Sequence, residues 1–245
     1  MHRFLLFVLA GPLASWGETS NGQHRPSADR PTKSAVLGML AAARGVPRGD
    51  PEIPALGDAL GYAVRVDRAG VLVSDYHTTH TPIGDPEQNR WRTRACELAT
   101  NKINTSITAR EYRADAVYTI ALWSRDGRTD RLDQLATALR KPVWALYLGR
   151  KSCPLGIPLR PEIREAETLE EALHSDLPVH GLIWPTGRPG SGAIYHDTDA
   201  PGQASWVIER VAVDRPSATA WRAFQTRPER VAAEAGRPPR PEDFF

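Results

Sequence analysis

Three short segments combine cations, aromatic rings and glycines in a way that could grip a sugar–phosphate chain. The first runs from Arg25-Pro to Arg30-Pro-Thr-Lys-Ser34 and leads into a helix. A helix start preceded by Arg and Lys can hold a phosphate, because its free N–H groups and dipole favour an anion; Arg25, Lys33 and Ser34 are the candidates. The competing structural reading is ordinary capping and solvated charge. The second pairs Asp75-Tyr-His-Thr78 with Arg110-Glu-Tyr112. Here Tyr112 and His77 can stack on unpaired bases, Arg110 can bind phosphate and Thr78 can hydrogen-bond. His77 also titrates near neutrality, as a general acid or base must, although a lone His more often caps a strand end. The third, Tyr147-Leu-Gly-Arg-Lys-Ser-Cys-Pro154, turns at Gly149 and presents Arg150, Lys151 and Ser152 together. Two cations, a hydroxyl and close backbone approach at glycine suit a phosphate, against a plain solvated turn with Cys153 as packing.

No enzyme template is complete. G-x-S-x-G, H-E-x-x-H, paired CxxC and G-x-G-x-x-G are all missing from the chain, as is the P-loop spacing. The sequence thus names no catalytic residue, metal ligand or cofactor. Cys96 and Cys153, the two cysteines, have no metal-ligand spacing and suit a reducing, cytoplasmic compartment.

The net charge of +2 across 245 residues does not itself announce a polyanion partner. Its distribution says more. Six cations (Arg90, Arg92, Arg94, Lys102, Arg110, Arg113) lie between positions 88 and 113, and four more between Arg140 and Lys151 without an acid. From Arg160 to Asp176 the sign reverses, with six acids against Arg160 and Arg164. The alternative is arginine scattered over every face.

The elements that must position these groups follow from periodicity. Arg3 to Leu9 reads as a buried strand stopped by Gly11-Pro12; as a secretion signal its apolar run would be short. No segment approaches the ~20 apolar residues of a membrane span. Thr32 caps a helix from Lys33 to Arg44 that Gly45 stops. Tyr62 to Asp67 alternates as a strand, and Val71 to Val73 begins another. From Ser74 to Ala109 the pattern dissolves into a long polar insertion. Arg110 to Trp123 regains strand character, Thr129 caps a helix from Asp130 to Arg140, and Val143 to Leu148 reads as a strand. This order is the split βαβ pattern of an α+β, ferredoxin-like fold, shared by RNA-recognition modules. Beyond it, Thr168-Leu-Glu-Glu171 has capping-box spacing. Val179–Ile183, Ala193–His196 and Ser205–Val213 have strand character, and Pro185–Gly192 is a turn. The expected organisation is an RNA-recognition-like domain over 1–155, with a thumb insertion at about 74–109, and a small β-rich appendage with a tail over 156–245.

Five motifs carry a resemblance. Ala10-Gly-Pro-Leu-Ala-Ser-Trp-Gly17, Arg30-Pro-Thr-Lys-Ser-Ala-Val-Leu-Gly38, Asp75-Tyr-His-Thr78, Arg110-Glu-Tyr-Arg-Ala-Asp-Ala116 and Tyr147–Pro154 occur in order. They resemble the CasD family, the fifth-family CRISPR-associated proteins of subtype I-E. Asp29 departs from it, because relatives often carry a basic residue there. The resemblance implies a repeat-associated RNA-recognition (RAMP) fold whose thumb presses on the crRNA between handle and guide. It implies a subunit of the Cascade complex that binds the crRNA 5′ handle, caps the backbone-subunit filament, contacts the large PAM-reading subunit, and meets target DNA only through the complex. The rival is a metal-independent endoribonuclease, as the related subtype I-C subunit is, drawing on Tyr76, His77 and Lys102 or Lys151. Other rivals are a secreted binding protein and an RNA-recognition protein unrelated to CRISPR.

Overall fold

The computed structural model describes residues 1–18, 20, 22–83, 93–99, 103–128, 130–184, 192–202, 207–214 and 225–232. The first elements are strands β1 (His2–Ala10), β2 (Leu13–Ala14), β3 (Trp16–Gly17), β4 (His24–Arg25) and β5 (Ser27–Ala28), then helices α1 (Lys33–Arg44) and α2 (Glu52–Ala59). Next come β6 (Leu60–Arg68), β7 (Val71–Pro82), α3 (Arg94–Leu98), β8 (Ile103–Ala114), β9 (Val117–Ser124) and α4 (Asp130–Arg140). The chain continues through β10 (Glu162–Ala166), α5 (Leu169–His174), α6 (His180–Ile183), β11 (Ile194–Asp197), β12 (Val207–Asp214) and β13 (Gln225–Ala232).

Seven strands form one antiparallel sheet in the order β10-β1-β9-β6-β11-β13-β12. β1 lies inside it and is covered on both faces. Leu5, Phe7 and Leu9 pack with α1 and α4, while Phe4, Leu6 and Val8 pack with Leu169 and Leu173 of α5. Double burial explains why β1 is a continuous apolar run rather than an alternating one. Strands from both sides of residue 155 share this sheet, β10 pairing directly with β1.

α1 forms as its caps dictate. Thr32 Oγ1 accepts the Ala35 N–H at 3.2 Å, and Gly45 closes the helix at φ 74°. Val36, Met39, Leu40 and Ala43 are buried. The Thr168 box likewise caps α5.

Four expectations require correction. Val143 to Leu148 is not a strand. The Val143 and Trp144 N–H groups close the end of α1 on the carbonyls of Ala43 and Ala42 at 2.9 and 3.2 Å, so they are not available to a ladder. Their side chains are exposed, and the strand flanking β1 is β10. Residues 74–82 and 103–109 do not dissolve: β7 and β8 pair residue for residue from Val71↔Ala114 to Pro82↔Ile103. This ribbon is solvated on both faces along most of its length, so it carries no apolar alternation to read. Arg110 to Trp123 is two strands, broken at Asp115, whose φ is 56° and whose N–H donates to Pro12 O. Val179–Ile183 is the short helix α6, fixed by the Leu177 N–H donating to His180 Nδ1 at 3.1 Å. Helix α2, which buries Ile53 and Leu56, has no counterpart in the sequence reading. Thr129, Lys102, Arg90, Arg92, Ser205, 185–191 and the tail lie outside the described residues. Among the described residues no helix is long and apolar enough to cross a membrane.

Candidate nucleic-acid interface

The ribbon sorts the second segment onto two faces, because cross-strand partners share a face and neighbours along a strand alternate. Tyr112 opposite Val73, Arg110 opposite Asp75, and Thr108 opposite His77 occupy one face. Thr78, Tyr76 and Glu111 occupy the other. Strand β4 runs parallel to β8 with Arg25 in register with Arg110, adding the Arg25 side chain to the first face. Arg110 Nε donates to Thr108 Oγ1 at 3.3 Å, and His77 Nδ1 lies 3.6 Å from Asp75 Oδ2. Arg25 donates to Ser20 Oγ at 2.6 Å and is exposed.

The third segment comes to this face as a pinned loop. The Leu148 N–H donates to Cys153 O at 2.7 Å, and the Cys153 N–H to Arg150 O at 2.9 Å. Gly149, at φ 84°, abuts the chain so closely that a Cβ would fall 1.9 Å from Ser15 O. The close approach expected at this glycine is therefore made by the protein's own backbone. The Arg150 guanidinium carbon lies 5.0 Å from the Tyr112 ring centroid, and Nη2 donates to Arg25 O at 3.3 Å. Arg150 Nη1 is buried with no hydrogen-bond partner. A buried unpaired donor is costly and calls for an acceptor. Lys151 and Ser152 are exposed beside it. Burial pushes the Cys153 thiol up, so it packs as a neutral side chain.

Glu111 holds the parts together and was missed as a site residue. Its Oε2 accepts the Ser27 N–H at 3.1 Å, its Oε1 lies 3.2 Å from His24 Nε2, and its carbonyl accepts Ser15 Oγ–H at 2.9 Å. One carboxylate thus fixes β4 and β5 against β8. The available signal was strand alternation, which places Glu111 behind the Arg110–Tyr112 face.

A family model described as CRISPR-associated protein (Cas_Cas5) matches residues 4–228. The chain belongs to this family. It is 35% identical over 190 residues to the CRISPR system Cascade subunit CasD of Escherichia coli (strain K12), covering 75% of this chain and 81% of that one. Among solved structures it is similar to a chain of a CRISPR RNA-guided surveillance complex, with TM-score 0.63 and 30% identity over 94% of this chain and 90% of that one. A crystal structure of a Cas protein matches with TM-score 0.57 and 28% identity over 97% and 99%.

In this Cas5-family chain the candidate residues separate into three groups. Arg25, His77, Arg110, Tyr112 and Arg150 gather on one face, with Lys151 and Ser152 on the adjoining loop, whereas Thr78 sits on the reverse face. Lys33 and Ser34 lie at the start of α1. Lys33 is buried, donating to Asp197 Oδ2 and Leu60 O, each at 2.8 Å. Burial pushes its ammonium pKa down, with Asp197 opposing. An ammonium taken out of water needs a built-in counter-charge, so Lys33 is already committed and is not a free phosphate ligand. Ser34 Oγ is 3.1 Å from Thr32 Oγ1. Arg30 is similarly occupied by Glu229 at 2.6 Å and Asp29 at 2.7 Å.

Proposed function

We propose that this chain is a non-catalytic, crRNA-binding subunit of a type I-E CRISPR Cascade complex, holding the crRNA 5′ handle in cytoplasmic antiviral defence. The observation that carries this reading is the convergence of Arg25, His77, Arg110, Tyr112 and Arg150 on one face, with Arg150 Nη1 lacking a partner. A single-stranded handle needs phosphate clamps together with surfaces for splayed bases, and this face presents guanidinium groups beside the His77 imidazole, with the buried Tyr112 ring backing Arg150. The kinship with the CasD subunit and with a chain of an RNA-guided surveillance complex supports the assignment. We read the strand set β10-β1-β9-β6 with α1 and α4 as the ferredoxin-like unit, and the β7–β8 ribbon as its thumb. On this reading the protein caps the backbone-subunit filament and docks the large subunit, meeting target DNA only through the complex.

The endoribonuclease alternative fits the ribbon less well. Tyr76 and His77 are neighbours on a strand and project from opposite faces, so they cannot converge on one scissile phosphate without the strand refolding. Anisotropy titration with an RNA bearing the repeat-derived 5′ handle, against one with a scrambled 5′ end, tests the proposal. Preferential binding with the RNA recovered intact is expected. Equal binding of both RNAs, or metal-independent cleavage abolished by His77→Ala, would overturn it.

A further inference from the structure

The outer edge of β7 has no strand partner among the described residues, since β7 pairs only with β8. The direction of its peptide groups can be fixed. The Ala109 N–H donates to Gln23 O at 3.0 Å, towards β4 and away from β7. Ala109 and Tyr76 therefore form a non-hydrogen-bonded pair, and the N–H and C=O of Tyr76 point away from β8. Alternation extends this outward set to Leu72, Ser74, Thr78 and His80. An independent contact agrees: the Arg94 guanidinium bonds the His80 carbonyl. From Leu72 to Thr78 the outward groups are thus aligned at strand spacing, in residues whose side chains are exposed.

Exposed edges invite pairing, and proteins ordinarily blunt them with lysines, bulges or a mid-strand proline. β7 has none of these. Its register with β8 is unbroken over its whole length, no Lys or Arg occurs between Val71 and Thr81, and Pro82 stands only at its end. Val71, Leu72 and Tyr76 are 67%, 47% and 69% exposed beside the edge. The opposite edge of the same ribbon already receives short strands, β2 antiparallel and β4 parallel. The backbone decides between occupants. Along this edge outward N–H donors alternate with outward C=O acceptors, a pattern that another polypeptide backbone matches, whereas a phosphate chain offers acceptors alone.

We propose that the outer edge of β7 over Leu72–Thr78 docks an extended polypeptide strand from a neighbouring protein subunit, which adds to the ribbon by β-augmentation. The inference rests on the reading of this chain as one subunit of a multi-protein complex. Its signature is residue-by-residue: an added strand protects the outward amides of Leu72, Ser74, Tyr76 and Thr78, while those of Val73, Asp75 and His77 are already bonded within the ribbon.

Amide hydrogen exchange at single-residue resolution, on the full chain alone and within the assembled complex, tests this. The outward amides are expected to exchange roughly tenfold or more slowly in the complex, with the inward ones unchanged. Equal exchange in both states overturns the proposal. So does protection produced by handle RNA alone, which would make RNA the occupant, or protection that rises with concentration of the isolated chain, which would make it a second copy. Ser74→Pro removes only an outward donor. The variant is expected to bind handle RNA like wild type but to enter the complex with roughly tenfold weaker affinity, and wild-type assembly would overturn the proposal. Failure of the wild-type chain to bind the handle would instead strike the RNA-binding reading, while the alternating protection in the complex would still decide this one.

Discussion

The guanidinium carbon of Arg150 sits 5.0 Å from the centre of the Tyr112 ring, joining two segments almost forty positions apart in sequence. The stack holds a planar cation so that Nη2 reaches the Arg25 carbonyl while Nη1 is buried without a hydrogen-bond partner. Planarity matters as much as charge here, because lysine can neither stack nor bridge in this way.

Arg150→Lys should therefore weaken handle binding by about three- to tenfold while leaving the salt dependence of binding nearly unchanged, since the charge is kept. Anisotropy titrations at several salt concentrations measure both quantities. Full affinity in the lysine variant would show that the stack is incidental.

Glu111 offers a test of sign. Removing an anion beside the proposed RNA face should strengthen binding if only electrostatics matter. Because Glu111 fixes the Ser27 N–H and His24, Glu111→Ala should instead weaken binding by roughly tenfold, an expectation within the usual cost of losing a half-buried acceptor. Its salt slope should match wild type. Tighter binding by the variant would contradict the positioning role.

Asp197 is the counter-charge shared by Lys33, Arg125 and Arg227. Asp197→Ala strands these cations and should cost roughly 3–5 kcal/mol in chemical denaturation. Lys33→Met should cost less, because Arg125 and Arg227 still face Asp197, and the folded variant should bind handle RNA like wild type. A selective loss of RNA binding with Lys33→Met would return Lys33 to the site.

His196 is buried, and its Nδ1–H donates to Asp197 O at 2.8 Å. Burial holds its imidazole below its ordinary value of 6.5. The unfolded chain then binds more protons just below pH 6.5, so stability falls as pH drops through that window. His196→Asn should flatten this fall, as read from denaturation midpoints between pH 7 and 5. An equally steep fall in the variant would assign the dependence elsewhere.

What the sequence made legible follows local chemistry. Thr32, Lys33–Arg44 and Gly45 spell a helix with both ends marked, and β1 is apolar because both its faces are covered. The ribbon was opaque because exposed strands carry no burial signal: Thr78, Thr79, Thr105 and Ser106 read the same in a loop. Val143 and Trp144 have strand composition but give their N–H groups to α1, a tertiary use that propensity cannot encode. Among the candidate residues, Arg25, Arg110, Tyr112 and Arg150 were readable as types able to hold RNA. Their shared face depends on the registers of β4 and β8. The commitment of Lys33 was invisible, because its partner Asp197 lies on a distant strand.

The most direct test is the salt dependence of handle-RNA binding by the wild-type chain and by the combined Arg25→Ala, Arg110→Ala, Arg150→Ala variant. If the three guanidinium groups clamp one single-stranded backbone, the slope of log K against log salt should shrink by about two in the variant, with a large loss of affinity. An unchanged slope and affinity in a variant that folds like wild type would contradict the account.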